Sequence, residues 1–288
     1  MTSPRRPPPR RLVYLGTPAM SVPPLRALHQ AGFEVALVVT NPDRRRGRGS
    51  GVSPSPVKVA ARELDLPVTH DVDDATSVGA DLGVVVAFGR IIRPHVLDVL
   101  DMVNLHFSLL PRWRGAAPVE RAILAGDTTT GVDLMVVEEG LDTGAVHARA
   151  EVEIGPDETA DELRARLVDI GSSLLVDQLT GGLAEPTPQR GEPVYAHKLT
   201  PEDLRIDWGS PAVVIHRQVR VGGAWTTKDG ERFKIWRTRL HPEGDGVAHP
   251  TGDGEIELVE VQPAGKPRLE AAAWANGARW GPGDRLGT

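Results

Sequence analysis

The alternation within the first forty residues sets the tightest limit on what this chain can fold into. A short apolar run, Arg11 to Leu15, meets the breaker Gly16-Thr17-Pro18; helical spacing follows from Val22 to Gln30, and a second apolar run spans Val35 to Thr40. Apolar runs of this length suit strands covered on both faces, and a helix between two of them makes the βαβ unit of a parallel sheet. Further strand-like runs at Leu82 to Ala87 and Met102 to Phe107, with helical stretches at Val57 to Leu64 and Pro94 to Leu100, continue the pattern. An α/β domain on an open, mostly parallel sheet is the expectation.

Downstream, Ala117 to Leu124 reads as a helix, and Gly131 to Val137 and Ala145 to Val152 read as two strands whose connection carries Glu139 to Gly144. Apolar residues at 163, 167, 170, 174 and 175 then form a helical stripe, opened by Thr159 and Glu162 at capping-box spacing. The stretch 181–200 is rich in Gly, Pro and polar residues, as a connection between domains is. From Asp207 onward the pattern becomes short β segments, Arg232 to Thr238 and Glu255 to Val261, separated by turns, which fits a small β-barrel. The expected division is a disordered tail at 1–10, an α/β domain at 11–182, a linker at 183–206 and a C-terminal domain at 207–288.

At 288 residues the chain is long enough to bury roughly 75% of its unfolded surface. It contains no cysteine, which excludes thiol catalysis, disulfides and thiolate metal sites. A formal net charge of −6 argues against indiscriminate coating of nucleic acid, DNA included, although a local basic patch can still grip a phosphate backbone. Arg5-Arg6 in the Pro- and Arg-rich opening is followed by no apolar stretch of signal length, and no window approaches the roughly 18 apolar residues of a membrane span. A cytoplasmic protein without a membrane partner, expected to act as a monomer, is the resulting picture.

The chemistry-bearing stretch is Asn104-Leu105-His106 and the run Ser108 to Gly115 behind it. In a strand of side-chain period two, Asn104 and His106 project from one face. The following run, broken by Pro111 and Gly115, leaves the strand's carboxyl end, where open α/β sheets place ligands. A nucleophile attacking an acyl carbon develops an oxyanion and must shed a proton. Asn104 can donate to the oxygen, His106 can donate or accept, and Asp142 can orient the histidine or relay the proton. A satisfied polar pair on a core strand fits the same two residues. Ser108 beside His106 lacks a Gly-x-Ser-x-Gly elbow, and the nine histidines are scattered without His-Glu-x-x-His, so neither serine nucleophile nor metal is expected.

Asn104 to Gly126 with Glu139 to Gly144 resembles the signature of the folate-dependent formyltransferases, most of all those acting on methionyl-tRNA. The resemblance continues through Leu15-Gly-Thr-Pro18, Asn41-Pro-Asp-Arg44, Gly47-Arg-Gly49, Pro54 to Lys58, Val85 to Gly89, Tyr195 to Leu199, Ile206-Asp-Trp208 and Val261 to Lys266, nearly end to end. It implies a formyltransferase α/β domain followed by an OB-like barrel, with Asn104, His106 and Asp142 as catalytic residues. It implies 10-formyltetrahydrofolate as formyl donor, contacted by Ser108, Leu109, Leu110 and Pro111, with Phe88, Gly89 and Ile91 lining the same pocket. The acceptor implied is the amino group of initiator methionyl-tRNA.

Between strand and helix, Arg44, Arg45, Arg46 and Arg48 alternate with glycines. Such a run is usually a solvated loop, and a backbone-following nucleic-acid contact is the sharper alternative. The resemblance implies the latter, with Arg44, Arg46, Arg48 and Lys198 on the tRNA. The chain departs from the family in having Ser50 and Gly51 in place of lysines and a shorter C-terminal stretch from His241 to Gly254. Two other readings share the signature: a sugar-nucleotide N-formyltransferase, which needs no arginine-rich insertion, and an inactive RNA- or folate-binding homologue.

Overall fold

The computed structural model describes residues 6–45, 52–241, 243–281 and 283–288. By contacts the chain divides into two units: Met1–Pro118, Thr129–Glu153 and Arg164–Ala196 form the first, and Val119–Thr128, Ile154–Leu163 and His197–Thr288 the second.

The first unit is a twisted sheet with its helices. In chain order its elements are β1 (Arg11–Gly16), α1 (Val22–Gln30), β2 (Glu34–Val39), the short strands β3 (Arg44–Arg45) and β4 (Val52–Ser53), α2 (Pro56–Glu63), β5 (Val68–Thr69), β6 (Leu82–Val86), α3 (Pro94–Leu97), β7 (Met102–His106) and β8 (Arg114–Gly115). Beyond α4 (Pro118–Ala125), which past Pro118 counts with the second unit, come β9 (Thr129–Val136), β10 (Val146–Glu153), the long helix α5 (Ala160–Gly181), of the first unit from Arg164 onward, and β11 (Tyr195–Ala196). The sheet order is β10-β9-β7-β6-β1-β2-β5. Strands β5, β2, β1, β6 and β7 run parallel, and β9 and β10 add two antiparallel strands at one edge. The chain winds outward from β1 in both directions, so the switch point lies between β1 and β6, and a ligand crevice belongs at their carboxyl ends.

Local chemistry explains the elements. Strands β1 and β6 are almost wholly buried, which is why they read as unbroken apolar runs. Helix α2 begins where the Ser55 hydroxyl accepts the Lys58 amide at 3.0 Å, with Pro56 in the first turn. At the start of α5, Thr159 and Glu162 form a reciprocal capping box: the Thr159 amide donates to Glu162 Oε2 at 2.9 Å and the Glu162 amide to Thr159 Oγ1 at 3.3 Å. Those bonds hold the Glu162 carboxyl below its ordinary value.

Two expected boundaries fall differently. Of the tail placed at 1–10, residues 6–10 are described and tied down: the Arg6 amide donates to Leu183 O at 3.0 Å, and the Arg10 amide to the Asp81 carboxylate at 2.8 Å. The stretch 183–206 is no free linker either. Thr187 exchanges backbone hydrogen bonds with Val146, and β11 pairs with β8, so residues up to Ala196 belong to the first unit. Composition predicts polar, turn-rich chain there, and such chain is captured whenever a strand edge offers its unpaired peptides.

The second unit is a half-barrel of antiparallel strands. It comprises α6 (Ala212–Val221), β12 (Trp225–Lys228), β13 (Glu231–Arg239), β14 (Val247–Thr251), β15 (Gly254–Gln262), β16 (Leu269–Glu270) and α7 (Ala271–Ala278), with sheet order β12-β13-β15-β14 and β16 beside β15. Its core is Ile215 and Val219 of α6, Phe233, Ile235, Ile256, Leu258 and Val261 of the sheet, and Trp274 of α7, whose ring lies 4.7 Å from that of Phe233. Among the described residues no helix is long and apolar enough to cross a membrane.

Candidate active site

Strand β7 sits between β6 and β9, with Asn104 paired to Val85 on one side and Met135 on the other. Its alternation turns Asn104 and His106 to one face. The Asn104 side chain is half-buried, and among the described residues its carboxamide has no hydrogen-bond partner. His106 is 5% exposed. Its Nε2–H donates to Trp113 O at 2.9 Å, so a backbone carbonyl fixes the tautomer. Asp142 Oδ2 faces Nδ1 at 3.6 Å, inside ion-pair range and beyond a hydrogen bond. The sequence-based expectation that Asp142 orients the imidazole is therefore met by Trp113 instead. The carboxylate remains as a counter-charge for a proton on Nδ1.

Asp142 is itself held. Its carboxylate accepts the Gly115 amide at 2.8 Å, and its backbone takes a left-handed φ of 51°, a conformation aspartate tolerates better than most residues. Two glycines make this approach possible. A Cβ on Gly144 would lie 2.0 Å from Val136 O, and Gly115, at φ 118°, would push one to 3.0 Å from Ala196 O. The Gln189 amide nitrogen donates to both Asp142 O and Gly144 O at 2.8 Å.

The loop leaving β7 is anchored from β9 and β10. Ser108 is fully buried and donates its hydroxyl to Arg112 O at 2.6 Å, which closes the turn and commits that oxygen to structure. The Leu110 amide donates to Asp133 Oδ2 at 2.8 Å, while Arg149 donates to Leu110 O at 2.7 Å and grips both Asp133 oxygens at 2.6 and 2.7 Å. That fork raises the Arg149 pKa above its ordinary value. Leu110 is 3% exposed, Leu109 is half-buried against Gly131, and Pro111 is half-buried.

At the carboxyl end of β6, the Phe88 ring is 2% exposed and packs into the sheet core with Ile92 and Val96. Its carbonyl accepts from Asn41 Nδ2 at 3.1 Å and from the Thr17 hydroxyl at 3.3 Å. Gly89, at φ 73° with open space around it, and Ile91, 88% exposed, form the outer surface. Among the described residues no three His, Cys, Asp or Glu side chains gather as a metal would require.

For the arginine-rich insertion, Arg44 is exposed and lies on β3. Arg46 and Arg48 lie outside the described residues. Lys198 is exposed and belongs to the second unit. Asp43 and Lys58, quoted in the sequence motifs, meet His70 in a cluster that motif reading did not foresee. Lys58, 8% exposed, donates to both Asp43 oxygens at 2.8 Å and lies 3.3 Å from His70 Nε2, while His70 Nδ1 donates to Thr40 O at 2.9 Å. The Lys58 hydrogen bond holds the Asp43 carboxyl below its ordinary value. Asp133, Arg149 and Gln189 were missed as well. An acid at Asp133 inside an otherwise apolar strand was the available signal; for Gln189, amid polar loop, there was none.

Residues 10–179 match the formyl transferase family model and residues 198–279 match the formyl transferase C-terminal domain model. A methionyl-tRNA formyltransferase of Heliobacterium modesticaldum is 42% identical over 315 residues, covering 96% of this chain and all of the relative. Among solved structures, the fold is shared with a methionyl-tRNA formyltransferase from Clostridium thermocellum, at TM-score 0.60, 16% identity, and coverage of 90% of this chain and 99% of that one. It is also shared with an N-formyltransferase from Helicobacter canadensis in complex with folinic acid and dTDP-3-aminofucose, at TM-score 0.67, 19% identity, and coverage of 88% and 99%. With a family model matched in each of its two parts and a full-length relative at this identity, the chain belongs to the formyl transferase family.

Proposed function

We propose that the protein transfers the formyl group of 10-formyltetrahydrofolate to the amino group of initiator methionyl-tRNA, acting as a cytoplasmic monomer. The observation that carries this reading is the unpartnered Asn104 carboxamide beside a histidine whose tautomer is set by Trp113 O and whose free nitrogen faces Asp142 at 3.6 Å. A donor without a partner in the resting protein is available to a charge that develops only during reaction.

The donor is a substrate that brings a carbon at the formamide oxidation level. The surface at the carboxyl ends of β7 and β6, where Leu109 and Pro111 are half-buried and Gly89 and Ile91 are exposed, is the place for this donor. The open space at Gly89 and the exposure of Ile91 support that placement. As the acceptor nitrogen bonds to the formyl carbon, Asn104 Nδ2–H donates to the oxygen that gains charge. The proton released by the amine passes to His106 Nδ1, with Asp142 as its counter-charge, and is returned to the folate N10 as the bond between that nitrogen and the formyl carbon breaks and tetrahydrofolate leaves. Since an α-amino group titrates near pH 8, little activation of the nucleophile is needed, and positioning is the main demand.

The structural likeness to an N-formyltransferase in complex with an amino-sugar nucleotide supports a second reading, in which the acceptor is a sugar amine. The arginine-rich insertion favours tRNA, as does the 42% identity to a methionyl-tRNA formyltransferase. Formyl transfer is measured from 10-formyltetrahydrofolate with initiator methionyl-tRNA and a 4-amino-sugar nucleotide offered in parallel. Product on the tRNA supports the reading, and product on the sugar alone overturns it.

A further inference from the structure

We infer that Gln189 is a positioning residue for the formyl transfer, holding the Asp142 loop in register with the loop that orients His106. This rests on the placement of Asn104, His106 and Asp142 as the reacting set.

The Gln189 carboxamide makes four hydrogen bonds within one small region. Its two N–H groups reach Asp142 O and Gly144 O, both at 2.8 Å. Its oxygen accepts from Arg114 Nε at 3.1 Å and from Arg114 Nη2 at 2.6 Å. An amide side chain offers two donors and one oxygen with two lone pairs, so each is matched. Arg114 stands between Trp113, whose carbonyl accepts the hydrogen bond from His106 Nε2–H, and Gly115, whose amide holds the Asp142 carboxylate. One side chain thus joins the backbone that fixes the imidazole to the backbone that carries its counter-charge.

The segment bearing Gln189 is tied down on both sides. Thr187 exchanges two backbone hydrogen bonds with Val146, at 2.8 and 2.9 Å, and Val194 O accepts the Arg114 amide at 2.9 Å. His147 Nδ1 donates to Ala184 O at 2.6 Å. The amide is therefore presented from a fixed frame. What it controls is narrow: the left-handed turn at Asp142, and through it the 3.6 Å separation from His106. An error of about 1 Å in such a pair is enough to cost on the order of 10²-fold in rate.

Gln189→Glu separates this role from general stability. The carboxylate still suits Arg114, yet it has no proton for Asp142 O or Gly144 O and places negative charge against two carbonyls. Gln189→Ala removes both connections. The full-length wild type and both variants are assayed with 10-formyltetrahydrofolate and initiator methionyl-tRNA for kcat, for KM of each substrate and for Tm. The expected result is a fall in kcat of about 10- to 100-fold in both variants, with each KM within about threefold of wild type. Wild-type kcat in Gln189→Glu overturns the inference. So does joint collapse of kcat, KM and Tm in both variants, which assigns Gln189 to folding alone. A wild type inert toward methionyl-tRNA fails the acceptor assignment instead, and the same comparison is then made with the amino-sugar nucleotide on which wild type turns over.

Discussion

Asn104 is polar, half-buried and without a side-chain partner among the described residues, so its carboxamide is not committed to holding the fold together. Its N–H groups remain available to an oxygen that gains charge during reaction. Removing one oxyanion donor typically slows turnover by about 10²- to 10³-fold. Asn104→Ala is expected to fall in that range in kcat while its melting curve stays near wild type, and His106→Ala to fall at least as far. Steady-state assays with thermal melts check both, and near-wild-type turnover removes the residue from the mechanism. Ser108 shows the opposite case. Its hydroxyl looks available in the sequence, and the structure commits it to Arg112 O.

The loop after β7 holds its shape because Asp133 and Arg149 take both polar groups of the Leu110 residue. The Asp133 side chain is fully buried while that of Arg149 is 43% exposed. Arg149→Leu therefore leaves a buried carboxylate without its partner, and about 3 kcal/mol, the low end for a broken buried pair, is the expected loss of stability. That corresponds to a Tm lower by roughly 6 to 12 °C for a chain of this size, and calorimetry checks it; the KM for the formyl donor should rise with it. In the half-barrel, His249 is 1% exposed, donates from Nδ1 to Pro250 O and accepts the Leu286 amide at Nε2. Burial pushes its pKa down to about 4. The unfolded histidine titrates near 6.5, so on acidification the unfolded chain takes up this proton first. Stability is then fully present above about pH 6.5 and lost as pH falls toward 4, by up to about 1.4 kcal/mol per pH unit. Denaturant titrations at pH 7, 6 and 5 check the slope, and His249→Gln should flatten it.

The chain carries a net charge of −6, yet its proposed acceptor is a polyanion. Association must then depend on locally grouped cations, and each phosphate neutralised adds a fixed increment of salt sensitivity. The apparent KM for tRNA is expected to rise at least about tenfold between 50 and 200 mM salt, with the KM for the formyl donor little changed. Arg48→Ala should raise the tRNA KM at low salt and shallow that dependence. A flat salt response overturns the tRNA assignment.

Strands β1, β2, β6 and β7 were legible as short apolar runs and the long helix α5 as an apolar stripe recurring every three to four residues, because both signals are written locally. The pairing of Asn104 with His106 on one face follows from the strand's period of two. Helix α6 was not legible. Its Val-, Ile-rich run favours a strand by propensity, and it is helical because Ile215 and Val219, four apart, enter the half-barrel core while Arg220 donates to Gly155 O and Glu158 O. The contacts that complete the site join residues far apart in the chain: Leu110 with Asp133 and Arg149, Gly115 with Asp142, and Asp142 with Gln189. No local repeat encodes them. They exist because the edge strands and the captured segment before β11 bring those peptides within 3 Å, a consequence of packing that periodicity cannot carry.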